Sequence, residues 1–341
     1  MDKISWTTTV VGSFPYENTL DNMESAFLDQ INCQIEYPCY PQLIGMIEQF
    51  LDPLSLHNSG LRKTGKGYTL DTELSLPSRP VATEYGQFVI DFLKNHSESK
   101  KQIKGWKACL TGPFTLAGDI IVTKNMVEGK KPIIFQEPRA IMSEAILRQL
   151  ADYMSSIARA YVDMGASIIS MDEPSLGLIV GQRKILYHND DVIIDILNQA
   201  IAPITKFSSI HICGRISPRL RDILLSSNVN IMDHEFVDTK NDSLFSKQML
   251  EENDKTLAVG VIESNVAFQS SKTLDECVET PEILENRIQK AIEQYGKENI
   301  ILKPDCGFGG LLPTFGQEMA SEMVRRKLKL LSSVMNQRIF L

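Results

Sequence analysis

The chain has 341 residues, 43% of them hydrophobic and 23% charged, enough for a substantial core in one large or two average domains. A formal net charge of −8 and a pI near 5.3 argue against a surface for nucleic acid or anionic membrane. No apolar run is long enough to cross a bilayer, and MDKISWTTTVVGSF lacks an apolar signal core, so the sequence reads as cytoplasmic.

Taken in order, the chain alternates short β-rich runs with longer amphipathic ones, the mark of βα units around a parallel sheet. Residues Thr7 to Gly12 form a β-branched run ending at Ser13, followed by a helix from about Leu20 to Gln30. A second strand is expected near Cys33 to Tyr37 and a helix through Ile44 to Phe50. Residues Asp52 to Pro80 are too long for an idle connection and suggest a hairpin or flap. The helix Thr83 to Lys94 leads into a third strand, Gly105 to Leu110, and Asp119 to Pro138 is a second excursion.

A long helical pattern, Arg139 to Met164, returns to a fourth strand, Ser167 to Met171, ending in DEP. A helix over Asp191 to Ile201 precedes the fifth strand, Lys206 to Gly214, and Ser217 to Leu225 is helical again. The sixth strand, Val229 to Met232, ends in DHE, and a helix from Leu244 to Glu251 follows. The seventh, Thr256 to Ile262, ends in ES; a helix Pro281 to Tyr295 precedes the eighth, Asn299 to Lys303, ending in PDCG. The last helix runs from Gln317 to Leu331.

Eight βα units predict a TIM (β/α)8 barrel, with its active site at the C-terminal ends of the strands. Ser13, Glu36, Asp172, His211, Cys213, Glu235, Glu263 and Cys306 all fall at or just after expected strand ends. A doubly wound sheet would show similar alternation, but no G-x-G-x-x-G follows the first strand. With no short repeat or linker, residues 1–341 are expected to form a single domain.

Six cysteines, Cys33, Cys39, Cys109, Cys213, Cys277 and Cys306, in a long chain with no signal peptide point to buried, metal-binding or catalytic thiols rather than disulfides. In an extended strand His211 and Cys213 project to the same side, where Gly214 ends the strand. Alone, such a pair is more often core and turn than ligand. Cys306 in PDCG and Glu235 in DHE supply a third and fourth donor at strand termini of the same rim. N, S, O and S donors at roughly 2.0 to 2.3 Å describe a tetrahedral zinc site. Glu235 is the donor expected to yield to an incoming thiol, being the hardest of the four. Cys33, Cys39, Cys109 and Cys277 read as small apolar residues, and His234, alternating with Glu235, as a packing residue. Asp172 and Glu173 offer carboxylates after the fourth strand, with a helix cap as the structural alternative. The Gly12–Ser13 turn has backbone N–H groups suited to a carboxylate. Glu36, Gln42 and Glu84 are further candidates, and Asp305 is placed to orient a ligand.

In this order, TTTVVGSFP, LTGPFTL, SMDEPSL, HICG, DHE, GVIES and PDCG resemble the catalytic C-terminal barrel of cobalamin-independent methionine synthase, from Thr7 to about Leu312. Methylcobamide-dependent thiol methyltransferases and uroporphyrinogen decarboxylase are more distant look-alikes. The resemblance implies a zinc enzyme with His211, Cys213, Glu235 and Cys306 as metal ligands. It implies that Val11, Gly12, Ser13 and Asp172 hold homocysteine, with Glu84 added as a substrate-binding candidate. It also implies catalytic roles for Asp172, His211, Cys213 and Cys306, with homocysteine and a methyl donor as partners. The chain departs from the long folate-dependent form, which has an additional N-terminal barrel and basic residues where this chain has FGG after PDCG; Glu263 also stands where aspartate is usual. It therefore looks like the short, core-type form, whose expected donor is a methyl-corrinoid or corrinoid protein, with 5-methyltetrahydrofolate the other possibility. Two further readings are a methyltransferase for another thiol such as coenzyme M, and a non-catalytic zinc-binding barrel. Coenzyme M has no amino group for Asp172, and a metal-free decarboxylase has no need of the thiols.

Overall fold

The computed structural model describes residues 3–182, 184–237, 241–266 and 273–337. Its strands in chain order are β1 (Leu61–Thr64), β2 (Gly67–Leu70), β3 (Lys107–Thr111), β4 (Ile120–Val122), β5 (Ile168–Asp172), β6 (Phe207–Ile212), β7 (Ile231–His234), β8 (Thr256–Ile262) and β9 (Ile300–Pro304). A continuous parallel sheet runs β3, β5, β6, β7, β8, β9. Two N-terminal segments close it through single parallel bridges: Thr8 with Leu302 of β9, Thr9 with Tyr37, and Cys39 with Lys107 of β3. Leu302 N donates to Thr7 O at 2.9 Å, Tyr37 N to Thr8 O at 3.0 Å and Lys107 N to Pro38 O at 2.8 Å. The sheet thus returns on itself as the expected (β/α)8 barrel, in which closure leaves no exposed edge.

Alternation sorts each strand into two faces. Outward residues such as Ile169, Met171, Ile210, Ile212, Met232, Leu257, Val259 and Leu302 pack in the main core against the surrounding helices. Inward residues change character along the barrel axis. At the N-terminal end Ile4, Ile168, Ile231, Ala258 and Ile301 make an apolar floor. One step further along are Lys107, Asp233 and Lys303, all buried. Asp172 and His211, partners across β5 and β6, lie toward the C-terminal ends.

The helices have local causes. Thr280 caps the helix Pro281–Tyr295, accepting from Ile283 N with proline at the first turn. Asn189 does the same for Asp190–Ile201. The last helix, Leu312–Met335, is broken at Gly316 (φ +70°), which is why the sequence periodicity begins only at Gln317. The first excursion is a hairpin, β1 antiparallel to β2, and the second adds β4 in parallel to β2 as a separate three-stranded sheet.

Three expectations need correction. The second strand bridges at Tyr37 and Cys39 rather than over Cys33 to Tyr37, because Cys33 still caps the helix Leu20–Asn32. Glu36 therefore precedes its strand and lies at the floor end, accepting from Thr8 N at 3.2 Å and pairing with Lys104 at 2.6 Å. The helix expected over Ile44 to Phe50 is Glu48–Ser55. Among the described residues, no helix is long and apolar enough to cross a membrane.

Candidate metal centre and substrate pocket

Strand β6 carries His211 inward, and two residues on Cys213 projects to the same side. Gly214 (φ +73°) then turns the chain away, in a backbone region that favours glycine. His211 Nε2 lies 3.1 Å from Cys213 Sγ and 3.7 Å from Cys306 Sγ, and the two sulfurs are 3.4 Å apart. All three donor atoms fall within 4.8 Å of one another. A tetrahedral zinc would set sulfurs roughly 3.8 Å apart and nitrogen roughly 3.6 Å from sulfur, given its usual bond lengths. Soft thiolates with imidazole are also the chemistry zinc prefers. The donor set fits the ion.

Charge and hydrogen bonding tie the three side chains together. Burial works against the His211 cation, but the Asp233 carboxylate, by charge and hydrogen bond, and the Cys306 sulfur raise its pKa to about 10. Cys306 is held well below the ordinary thiol value by hydrogen bonds from Cys213 and His211, against its burial. Cys213, half-buried and hydrogen-bonded to Cys306, is pushed up by that contact and by desolvation. Across this contact either sulfur can be the donor.

Glu235 is half-buried and is not among the three clustered donors. Its carboxylate is hydrogen-bonded by the Gly214 backbone, and burial and the Cys306 charge push its pKa up. The loops carrying these donors are stitched together. Asn241 Nδ2 donates to Gly214 O at 2.9 Å and Glu235 O at 2.8 Å, while its Oδ1 accepts from Ile216 N at 3.1 Å. Asp305 accepts from Phe236 N at 2.8 Å and Val237 N at 3.1 Å, so it orders the loop after Glu235 rather than the Cys306 side chain. Cys306 N donates to Ser264 Oγ at 2.9 Å. His234 faces outward and stacks on Phe245 with centroids 5.7 Å apart, as alternation requires.

Asp172 is buried, and burial pushes its carboxyl up to about 6 although His211 and Lys107 pull the other way. Ser170 Oγ donates to its Oδ1 at 3.4 Å and Cys109 Sγ to its Oδ2 at 3.9 Å. Val11 and Gly12 are buried and Ser13 partly exposed. A Cβ at Gly12 would stand 2.5 Å from Cys109 Sγ and 3.3 Å from Cys39 Sγ, so only glycine permits this approach. Cys39 and Cys109, expected to be ordinary core residues, therefore line the wall between the Gly12 turn and Asp172. Gln42 N donates to Gly12 O at 2.9 Å and Phe308 N to Ser13 O at 2.8 Å, tying the turn to the loop after Cys306.

Glu173 takes the capping role. It accepts from Phe114 N at 3.0 Å, Thr115 N at 2.8 Å and Thr115 Oγ1 at 2.7 Å at the start of the helix Pro113–Asp119. Glu84 is exposed at the first turn of the helix Glu84–Asn95, beside a cleft lined by Ile44, Glu48, Gln49 and Tyr85. None of the hydrogen bonds or ion pairs among the described residues joins it to the His211 group.

Three inward residues escaped the sequence reading. Asp233 Oδ1 accepts from His211 Nδ1 at 2.7 Å, and Asp233 also pairs with Lys303 at 2.8 Å and Lys107 at 3.2 Å. The available signal was a charged residue at an inward position of an otherwise apolar strand: Lys107 in KACLT, Asp233 in IMDH, Lys303 in IILKP.

Comparison with known proteins identifies the fold and the family. The family model of uroporphyrinogen decarboxylase (URO-D) matches residues 76–326. A methionine synthase from Methanothermobacter marburgensis is 23% identical over 328 residues, covering 88% of this chain and 92% of that one. One from Methanocaldococcus jannaschii is 26% identical over 326 residues, covering 90% and 93%. The solved B12-independent methionine synthase from Shewanella sp. W3-18-1, in complex with selenomethionine, superposes with a TM-score of 0.64 at 17% identity over 97% of both chains. That likeness shows a shared fold, and the matched stretch includes Asp172, His211, Cys213, Glu235 and Cys306: the chain belongs to the uroporphyrinogen decarboxylase (URO-D) family.

Proposed function

We propose that residues 1–341 form a single zinc-dependent S-methyltransferase domain that converts homocysteine to methionine. The observation that carries this reading is the convergence of His211 Nε2, Cys213 Sγ and Cys306 Sγ within 4.8 Å, at the end of the barrel where TIM-barrel active sites lie. The methionine synthase names of the archaeal relatives support it, as does a bound selenomethionine in a protein of the same fold.

His211, Cys213 and Cys306 would hold the zinc, with Glu235 as the fourth and hardest donor. A zinc ion there supplies Lewis acidity, which lowers the pKa of an incoming thiol from about 8.5. The chain's own residues then bind and orient. Asp172, as carboxylate, pairs with the substrate ammonium. The backbone of Val11, Gly12 and Ser13 receives the substrate carboxylate. Holding both ends fixes the sulfur for in-line attack on the methyl carbon, an entropic contribution to rate. The bonding pair leaves with the donor, read here as a methyl-corrinoid or corrinoid protein, with 5-methyltetrahydrofolate as the alternative. Glu235, outside the cluster of three donors and next to the residues whose backbone Asp305 holds, would be the most weakly held donor to a bound zinc. Glu84, at the rim, is assigned a peripheral substrate contact, and the cytoplasm is the proposed compartment.

The test is single-turnover methyl transfer to homocysteine or coenzyme M, with methylcobalamin and methyltetrahydrofolate offered separately. Homocysteine should be the acceptor, because coenzyme M leaves Asp172 without a partner. Cys306→Ser and His211→Ala should lose bound zinc and methyl transfer while keeping the circular dichroism of the wild type. Full activity in both variants would refute the assignment.

A further inference from the structure

Directly beneath the sulfur donors, one buried carboxylate gathers two ammonium groups and an imidazole. Asp233 takes His211 Nδ1 at 2.7 Å, Lys303 Nζ at 2.8 Å and Lys107 Nζ at 3.2 Å. All four side chains are at most 1% exposed. Each lysine has a second attachment. Lys303 Nζ donates to Pro304 O at 3.0 Å and Asp305 O at 2.7 Å, the two residues before Cys306. Lys107 Nζ donates to Val10 O at 3.0 Å, the residue before the Val11–Gly12–Ser13 turn.

We propose that Asp233, with Lys107 and Lys303, is a positioning hub that fixes the His211 ring and joins the metal donors to the turn receiving the amino-acid carboxylate. The inference rests on the zinc-methyltransferase reading of the site. Three physical arguments carry it. First, a carboxylate on Nδ1 fixes the tautomer in which Nε2 faces the sulfurs, the usual way an outer partner orients a metal-binding imidazole. Second, a buried ion cluster is seldom the most stable filling for a core; well-packed apolar residues of like volume often serve as well or better. Stability alone therefore does not account for three charges in the middle of this barrel. Third, the attachments divide: Lys303 holds the chain leading to Cys306, and Lys107 holds the chain leading to Gly12. Neither lysine touches the donor atoms, so both act through what they hold.

That division makes the hub testable. Lys303→Met and Lys107→Met each leave Asp233 one ammonium and the imidazole. Zinc affinity is read by chelator competition, and homocysteine KM and kcat from turnover of the zinc-saturated protein. Lys303→Met should weaken zinc binding about 10- to 100-fold, as loss of an outer partner does elsewhere, and leave homocysteine KM nearly unmoved. Lys107→Met should keep zinc affinity and raise homocysteine KM more than it lowers kcat. A purely structural cluster would lower the melting temperature of both variants with no such split. Zinc affinity and KM moving together in both, or in neither, overturns the proposal. Should a variant not fold, heteronuclear NMR of the imidazole nitrogens in zinc-loaded wild type gives an independent reading. Protonated Nδ1 with metal on Nε2 is expected; metal on Nδ1 overturns the hub. Failure of the underlying reading looks different, as wild-type protein that takes up no zinc or methylates no homocysteine.

Discussion

Asp172 should show its role most directly in solution. Its carboxyl titrates near 6 because burial disfavours the charge. In the proposed function only the ionised form pairs with the substrate ammonium, so that contact would form above about pH 6 and be lost as pH falls through it. Homocysteine KM should therefore rise below pH 6 in the wild type. Asp172→Asn should raise KM above pH 6, to the level the wild type reaches below it, and so remove that limb. A hydrogen bond between charged groups contributes about 1.5–3 kcal/mol, or roughly 10- to 100-fold in KM. A wild-type KM that stays flat on both sides of pH 6 would show that Asp172 does not make the contact. Asp172, His211, Cys213 and Cys306 were legible in the sequence because each is a reactive type at a strand terminus. Asp233, Lys107 and Lys303 were not, because their meaning lies in a pairing across the barrel: Asp233 and Lys107 are 126 positions apart. Glu235 was legible as a rim carboxylate, but its separation from the thiol pair depends on the Gly214 and Asn241 contacts, which no spacing reveals.

At the scale of elements, long periodic segments could be read closely. β8 and the helix Pro281–Tyr295 have the bounds the pattern predicts. The helices Pro113–Asp119 and Pro174–Ile179 are too short for a 3.6-residue period to register. The pairing of β2 with β4 joins two excursions on either side of a barrel strand, which local pattern cannot show. The helix Pro113–Asp119 depends on Glu173, whose carboxyl burial pushes from 4.5 to about 8 despite three donors. A raised carboxyl means the folded state holds a proton that the unfolded chain releases. Its contribution to stability is thus complete below about pH 4.5 and lost as pH rises through 8. Glu173→Gln cannot ionise, so its urea midpoint should gain on that of the wild type across that interval. Parallel midpoints for the two proteins would mean that Glu173 is ionised throughout.

For the whole molecule, the barrel interior is graded along its axis. An apolar floor supports a charged middle layer, and that layer supports the donors and the substrate turn at the mouth. The order follows from alternation combined with strand register: Lys107 opposite Ile168, Asp172 opposite His211, and His211 opposite Asp233. Barrel class was legible from eight βα units. The manner of closure was not, because the first two segments join their neighbours by isolated bridges rather than full ladders, and the second bridges at Tyr37 and Cys39 rather than along the run the pattern marks. The grading places the His211, Cys213 and Cys306 donors at the mouth of the barrel, and the proposed function requires an open metal centre there that homocysteine can reach. Titration of the cobalt(II)-substituted protein with homocysteine, followed by visible absorption, tests this most directly. The sulfur-to-cobalt band should grow to saturation as the substrate thiolate joins the site. A spectrum unchanged at saturating homocysteine would mean that the metal site is closed and that the chain is not a homocysteine methyltransferase.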